Sequence, residues 1–335
     1  MFEKSLFMSL QTFTSPSHVG SYRNSCKTRL NPVLAMPHSS ILLQTDESND
    51  LPKPKKGSGL SVDPRNILNS LPADSLIRQA NTVGIIGGVS SNSTLSFLKK
   101  LVEWSSKDGK SPLPYVLCSD PMLNNELLSY EKCSFPSLYH RTETAPPDPN
   151  LIVENLRNKR RFLEKSGAKL ILMPCHIAHK WYEEVSEDSS VPLLHMGECV
   201  AEELKQAKMK PLEAGSPLRI GVLASNATLS AGFYQEKLQS KGMEAVLPDK
   251  ATMEHTVNPA IDAMSRKDIV GARNLLRIAL QVLLVRAVNT VIFASDDMRD
   301  LFPRDDPLLK KCVDPMDALA RFAVKWAAAA AEEDP

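Results

Sequence analysis

Short apolar runs alternate with amphipathic stretches twice along this chain, and that alternation constrains the fold more than any other feature. Residues 82–88 (Thr-Val-Gly-Ile-Ile-Gly-Gly) are an apolar run ending in two glycines. Flanked by helices, such a run reads as a buried parallel strand. A helix is expected next, with Ser91 or Ser93 as its cap and Leu95, Leu98, Leu101 and Val102 on its apolar face. Residues 114–118 are the next strand, followed by a polar, Pro-rich loop and a helix over 150–166. A strand over 169–175, a helix over 177–186, a short strand over 191–195 and a helix from 197 complete the first cycle. The second begins at Arg219-Ile-Gly-Val-Leu-Ala-Ser225. It runs through a helix near 229–241, a strand near 243–247 and a long helix over 268–287, and closes with Asn289-Thr-Val-Ile-Phe-Ala-Ser295. A last helix spans about 315–331.

Alternating strands and helices imply parallel sheets joined by right-handed crossovers, and two similar cycles imply two similar lobes. The expected class is α/β, with each lobe a mostly parallel sheet flanked by helices. Ligands in such folds sit at the carboxyl ends of strands, here residues 87–94, 118–125, 175–179, 225–228 and 295–297.

The 335 residues are long enough for two medium domains, and 40 basic against 39 acidic residues leave a net charge of +1. That balance points away from a nucleic-acid partner, and no long uninterrupted apolar stretch points to a membrane span. The six cysteines form no CxxC pair or short-spaced framework, so they read as thiols. The first 45 residues differ in kind: one acid, Glu3, stands against Lys4, Arg23, Lys27 and Arg29, and twelve residues are Ser or Thr. That composition is expected of an organelle transit peptide, with residues 46–75 as a polar linker. Sparse Arg and plentiful Ser favour the chloroplast stroma over the mitochondrion. A tail without an address has the same composition.

Cys175 ends a strand just before a helix, where the helix terminus favours a thiolate and His176 and His179 are near enough in sequence to add positive charge. Such a thiol serves as nucleophile or proton-transfer base. On position alone, a small buried apolar side chain is the commoner fate of such a cysteine. No fourth ligand has the spacing to make Cys175, His176 and His179 a metal site, so none is expected. Ser295 holds the equivalent place in the second cycle; Asp296 and Asp297 after it are suited to capping a helix. Gly87-Gly88 with Ser90, Ser91, Ser93 and Thr94 can hold a carboxylate or phosphate through amides and hydroxyls. The loop is not GxGxxG, so no dinucleotide cofactor is expected.

Together these strand ends resemble the aspartate/glutamate racemase family. Val83-Gly-Ile-Ile-Gly-Gly-Val-Ser-Ser-Asn-Ser-Thr94 is similar to the family's first strand and loop, ending Gly-Gly-Met-Ser-x-x-Ser-Thr. Met173-Pro-Cys-His-Ile-Ala-His179 resembles its Pro-Cys-Asn-Thr-Ala-His, with Val191-Pro-Leu-Leu-His-Met196 as the following strand. Ile220-Gly-Val-Leu-Ala-Ser-Asn-Ala-Thr228 through Tyr234, then Pro248-Asp249, resembles the second-lobe pattern. The likeness runs from about 82 to 328.

The resemblance implies two pseudo-symmetric lobes with the active site between them. The first lobe would hold 82–212 plus 313–331, the C-terminal helix packing back on it, and the second 218–312. It implies cofactor-free proton transfer between two cysteines on opposite faces of an α-carbon. Cys175 takes the first position. Ser295 takes the second, where the family's Gly-Cys-Thr-Glu has become Ala294-Ser-Asp-Asp297. Gly88, Ser90, Ser93, Thr94, His176, Ser225, Asn226, Thr228 and Asp296 would contact substrate, and Arg266 would be a second cationic contact. Two departures stand out. His176-Ile177 replaces the family's Asn-Thr, and Glu126 aligns near the arginine that aspartate-specific members use for the distal carboxylate. A serine is a far weaker acid than a thiol and needs a neighbouring base. The first expectation is therefore an amino-acid racemase for a small acidic or polar amino acid, with a homodimer open to it. The alternatives are a one-thiol isomerase or decarboxylase of a small dicarboxylate, or a binding or regulatory protein that kept the pocket.

Overall fold

A computed structural model describes residues 79–107, 112–134, 147–295 and 297–333. The expected transit peptide and linker over 1–75, and Asp296, lie outside the described residues. The rest forms two parallel sheets. In the first, β1 (Val83–Ile86) lies between β2 (Tyr115–Cys118) and β3 (Leu170–Leu172). Val83 pairs with Tyr115 on one side and Leu170 on the other. In the second, β4 (Leu218–Ala224) and β6 (Thr290–Ala294) are central, β5 (Met243–Val246) and β7 (Cys312–Val313) the edges. Ala224 pairs with Ala294, so β4 and β6 end side by side.

The expected strand over 191–195 is reduced to one parallel bridge, Leu193 with Ile171. Pro192 explains this: its carbonyl accepts from Ile171 N–H at 2.9 Å, but it has no N–H to extend the ladder.

Aspartate–proline steps begin several helices. α1 (Ser91–Ser105) is capped by Ser90, not by Ser91 or Ser93. α2 (Pro121–Cys133) and α3 (Pro149–Lys165) start at Asp120-Pro121 and Asp148-Pro149, each carboxylate accepting a first-turn N–H. Proline suits the first helical position because that N–H is unpaired anyway. α2 stands where a polar loop was expected. Beyond β3, the expected single helix is a 3-10 turn (Ile177–Trp181) followed by α4 (Tyr182–Ser186), and then comes α5 (Met196–Gln206). The expected helix near 229–241 is two, α6 (Asn226–Ala231) and α7 (Phe233–Ser240), broken where Gly232 takes φ +74°. Helical turns over 250–257 lead into α8 (Asn258–Ser265), which has no counterpart among the expected elements. α9 (Ile269–Val285) and α10 (Pro315–Glu333) match the last two expected helices.

Side chains alternate across both sheets as strands require. Val83 and Ile85 of β1, Ile220, Val222 and Ala224 of β4, and Ile292 and Ala294 of β6 all bury in one central cluster. α5, α7 and α10 fill that cluster, and α10 packs along α1 and α5 while touching β3 and β6. The opposite faces have separate covers. Ile86 and Ile171 pack under α2 and α3; Leu223, Val291 and Phe293 pack under α9. Lys100 and Arg299 both meet Asp314 at the start of α10, at 2.8 and 3.1 Å. Arg321 forks onto Glu203 of α5 at 3.0 and 2.6 Å. Apolar burial holds α10, and these partly buried ion pairs orient it.

Leu319, fully buried in α10, is the place to test this. Leu319→Ala is expected to cost about 2–5 kcal/mol in urea unfolding. Leu151→Ala, at a residue 63% exposed, should stay within about 0.5 kcal/mol. Because the central cluster draws on both sheets, far-UV circular dichroism and tryptophan fluorescence should report one coincident transition.

Candidate active site

The loops after β1, β3, β4 and β6 carry most of the residues expected at a site. Cys175 follows β3 and is fully buried. The glycine turn after β1 presses against it. A Cβ on Gly88 would stand 3.0 Å from the Pro174 carbonyl oxygen, 3.1 Å from Ser93 Oγ and 3.3 Å from Cys175 Cβ. Only a hydrogen leaves this approach unstrained. From the second lobe, Ala227 joins the same apolar cluster as Cys175. The helix that starts at Asn226 also packs against the Ile177–Trp181 turn just after Cys175, so segments of both lobes meet beside the thiol.

The hydroxyls of the first loop are committed to one another. Gly88 N–H donates to Thr94 Oγ1 at 3.1 Å, and Thr94 Oγ1 donates to the Ser90 carbonyl at 3.0 Å. Ser93 N–H donates to Ser90 Oγ at 3.0 Å, and Ser93 Oγ to the Ser90 carbonyl at 3.3 Å. Asn124 of α2, with its amide nitrogen turned towards the loop, donates to the Gly88 carbonyl at 2.6 Å. The loop is built rigid, with Ser93 and Thr94 buried and Ser90 partly open. Binding a carboxylate there would have to exchange some of these bonds.

The structure corrects the expected charge on the histidines. His176 is buried, its Nδ1 is 2.9 Å from Tyr234 Oη of α7, and burial pushes its pKa down to about 3. His179 Nε2 lies 3.0 Å from the Met173 carbonyl oxygen, and burial, reinforced by His195 and His176, holds its pKa well below the usual range. Both rings are neutral near pH 7 and lend Cys175 no positive charge, because burial makes a charged imidazole too costly. Their work is mechanical. His179 lies 5.0 Å from His195 and 5.5 Å from Phe233 between ring centroids, tying the Cys175 turn to α5 and α7.

In the second lobe, Ser225 and Ser295 directly follow the paired residues Ala224 and Ala294. Ser225 caps α6, with Thr228 N–H at 3.5 Å and Thr228 Oγ1 at 3.4 Å from its hydroxyl. Asn226 Nδ2 donates to Asn258 Oδ1 at 3.4 Å, bringing the start of α8 to the site. Arg266 is exposed at the far end of α8, eight residues on, or about 12 Å at 1.5 Å per residue. Glu126 accepts from Asn155 Nδ2 of α3 at 3.2 Å.

Glu131, in the last turn of α2, is not among the expected site residues. Burial and the nearby Asp297 carboxylate push its pKa up to about 7, against Ser225 and Lys132, which act the other way. Residues 121–133 lack the apolar periodicity of a helix, and the Asp120-Pro121 start is the signal that marks one.

A separate cavity of about 180 Å³ lies among α5, β6, β7 and α10, lined by Glu203, Arg299, Cys312, Asp314, Asp317 and Arg321 among others. It shares no residue with the strand-end loops, and its arginines are paired with Asp314 and Glu203. Among the described residues no three His, Cys, Asp or Glu side chains converge as metal ligands.

Comparison with known proteins gives a consistent set of likenesses. The family model described as Asp/Glu/Hydantoin racemase matches residues 86–323. The chain is 24% identical over 216 residues to the broad specificity amino-acid racemase RacX of Bacillus subtilis, covering 64% of this chain and 85% of that protein. The solved structure of the Picrophilus torridus aspartate racemase is 25% identical, with a TM-score of 0.55, covering 74% of this chain and 94% of that one. An aspartate racemase homologue from Pyrococcus horikoshii OT3 is 20% identical, with a TM-score of 0.57 and 74% and 99% coverage, a likeness of fold.

The raised pKa of Glu131 fixes a sign for stability. The unfolded chain releases this proton near pH 4.5 and the folded chain near 7, so the contribution is full below pH 4.5 and lost as pH rises through 7. Thermal melts should therefore show wild type losing stability from pH 5 to pH 8 relative to Glu131→Gln, whose side chain does not titrate. Parallel melting curves for the two proteins would contradict the assignment.

Proposed function

We propose that this chain, which belongs to the Asp/Glu/hydantoin racemase family, inverts amino acids at the α-carbon without a cofactor, using Cys175 on one face. The observation that carries this reading is the setting of Cys175: at the end of β3, against the Gly88 turn, in one apolar cluster with Ala227 of the other lobe. A base placed between two lobes meets its substrate out of water, where proton transfer at carbon is most sensitive to position.

In the proposed reaction the lobes part, the amino acid enters and they close. The Cys175 thiolate takes the α-proton: the C–H bond breaks, an S–H bond forms, and the electron pair left on carbon delocalises into the substrate carboxylate. A proton delivered from the side of Ser295 forms the new C–H bond and inverts the centre. The neutral, buried His176 and His179 hold the Cys175 turn in place for this. The loop of Ser90, Ser93 and Thr94 and the second-lobe turn of Ser225, Asn226 and Thr228 are the proposed substrate cradle. Glu126, held by Asn155, would give a side-chain carboxylate no cationic partner. A small polar substrate is favoured over a strict dicarboxylate, in keeping with the broad specificity named for the Bacillus relative. The acid-poor, hydroxyl-rich first 45 residues support delivery to a plastid.

The test is α-proton exchange in D2O against a panel of L- and D-amino acids, followed by NMR, with chirality read by chromatography. Wild type should exchange and invert at least one substrate. Cys175→Ala should lose about 10²–10⁴-fold or more. Exchange unaffected by Cys175→Ala, or no exchange from any amino acid, would sink the reading.

A further inference from the structure

The backbone ladder of β6 stops at Ala294, and beyond Ser295 the next regular element is a single 3-10 turn, Arg299–Leu301. A segment with no ladder and no long helix takes its position from the side chains that hold it. Three contacts hold this one. Arg273 Nε of α9 donates to the Leu301 carbonyl at 2.6 Å. Ser96 Oγ of α1 donates to Asp300 Oδ2 at 3.0 Å. Arg299 Nε reaches Asp314 Oδ2 at 3.1 Å.

Asp314 is where the ties between the lobes converge. One of its oxygens caps α10: Met316 N–H donates to Oδ1 at 2.9 Å. The other takes Arg299 from the second lobe and also Lys100 from α1, at 2.8 Å. Lys100 stands 3.6 Å from Asp317 Oδ1 as well, and Trp104 Nε1 donates to that oxygen at 3.3 Å. Two cations thus face two carboxylates. The Lys100 and Asp314 side chains are only 15% and 10% exposed, so salt screens their attraction less than it would at the surface. Lys100 lies on the helix whose first turn carries Ser93 and Thr94, and Arg299 lies four residues past Ser295. One carboxylate oxygen therefore links the helix of the substrate cradle to the Ser295 segment. Arg321 and Glu203 make the contrasting pair: they join α10 to α5 and reach neither segment.

We propose that Asp314 is a positioning residue for proton transfer on the face opposite Cys175, holding Arg299 and Lys100 together so that Ser295 stands at a set place relative to α1; the proposal rests on the racemase reading above. Asp314 touches no substrate and exchanges no proton. Its effect is geometric, and it matters most for a serine, whose weak acidity leaves little tolerance for a lengthened proton path. The Cys175 turn is held by other contacts. His176 Nδ1 lies 2.9 Å from Tyr234 Oη, and His179 Nε2 lies 3.0 Å from the Met173 carbonyl oxygen. The two faces are thus positioned by separate sets of bonds, and loosening one leaves the other in place.

The experiment compares full-length wild type, Asp314→Asn, Arg299→Ala, Arg299→Lys and Glu203→Gln in the D2O assay, with backbone amide exchange read by mass spectrometry. Asparagine caps a helix as well as aspartate does, so Asp314→Asn removes the charge that the two cations share and spares the start of α10. Asp314→Asn and Arg299→Ala should lose about tenfold or more in kcat for inversion, with KM and the α-proton exchange served by Cys175 within about twofold of wild type. Amides over 298–302 should exchange faster in both. Arg299→Lys, which keeps the positive charge, should restore part of the inversion. Glu203→Gln should match wild type in its ratio of inversion to exchange and in the amides over 298–302. If Asp314 did no more than support α10, Asp314→Asn would lower exchange and inversion together, which would overturn the proposal. Inversion or amide exchange over 298–302 unchanged in Asp314→Asn would overturn it too, with the racemase reading intact. No α-proton exchange by wild type from any amino acid would bring down the racemase reading and this proposal with it.

Discussion

Both sheets bury one face against the same layer of helices, and the rest of the molecule is arranged around that shared burial. Val83 and Ile85 from the first sheet meet Ile220, Val222 and Ile292 from the second in one cluster, filled by Leu319, Ala320 and Ala323 of α10. Close packing of this kind tolerates little sliding, because its stability is the sum of many weak attractions that a small shift weakens all at once. The strand ends of the two lobes are therefore held at a set spacing on one side of the layer. The Cys175 turn, the Ser225 turn and the Gly88 loop meet because of it. Opening to admit a substrate has to bend about this layer, since separating it would expose the central core.

The chemistry at the strand ends is governed by the same exclusion of water. Burial strips charge from His176 and His179 and turns them into packing groups, with Tyr234 and the Met173 carbonyl as their polar partners. It also raises the proton affinity of Glu131. One low-dielectric environment thus yields two outcomes. A base that must stay neutral becomes a strut, and an acid that can hold its proton becomes a group able to exchange it.

Much of the fold was legible in the sequence because long-range context has little say over a fully buried strand. β1, β3, β4 and β6 appear as apolar runs, and α3, α9 and α10 as periodic stretches of helical length. Errors came where local and tertiary signals diverge. α2 has buried Leu123 and Leu127 but an Asn124-Asn125-Glu126 stretch between them, which reads as loop unless the Asp120-Pro121 cap is weighed. Pro192 cuts a strand-like run down to a bridge, and Gly232 breaks one expected helix into two. Among site residues, Gly88, Ser93 and Cys175 are brought into contact. Glu131 had no sequence signal of its own, since its raised proton affinity comes from burial and from Asp297, far along the chain.

By itself the sequence determined the alternation of strands and helices, the parallel sense of the sheets and the strand ends on which chemistry would gather. These follow from backbone hydrogen bonding and from the periodicity with which apolar side chains must face a core. Only the tertiary structure decided the protonation states of His176, His179 and Glu131, and which hydroxyls are already spoken for by their own loop. The physical reason is that a side chain's charge is set by the water it loses and the dipoles it gains. Both come from residues far away in the chain, brought near by packing alone.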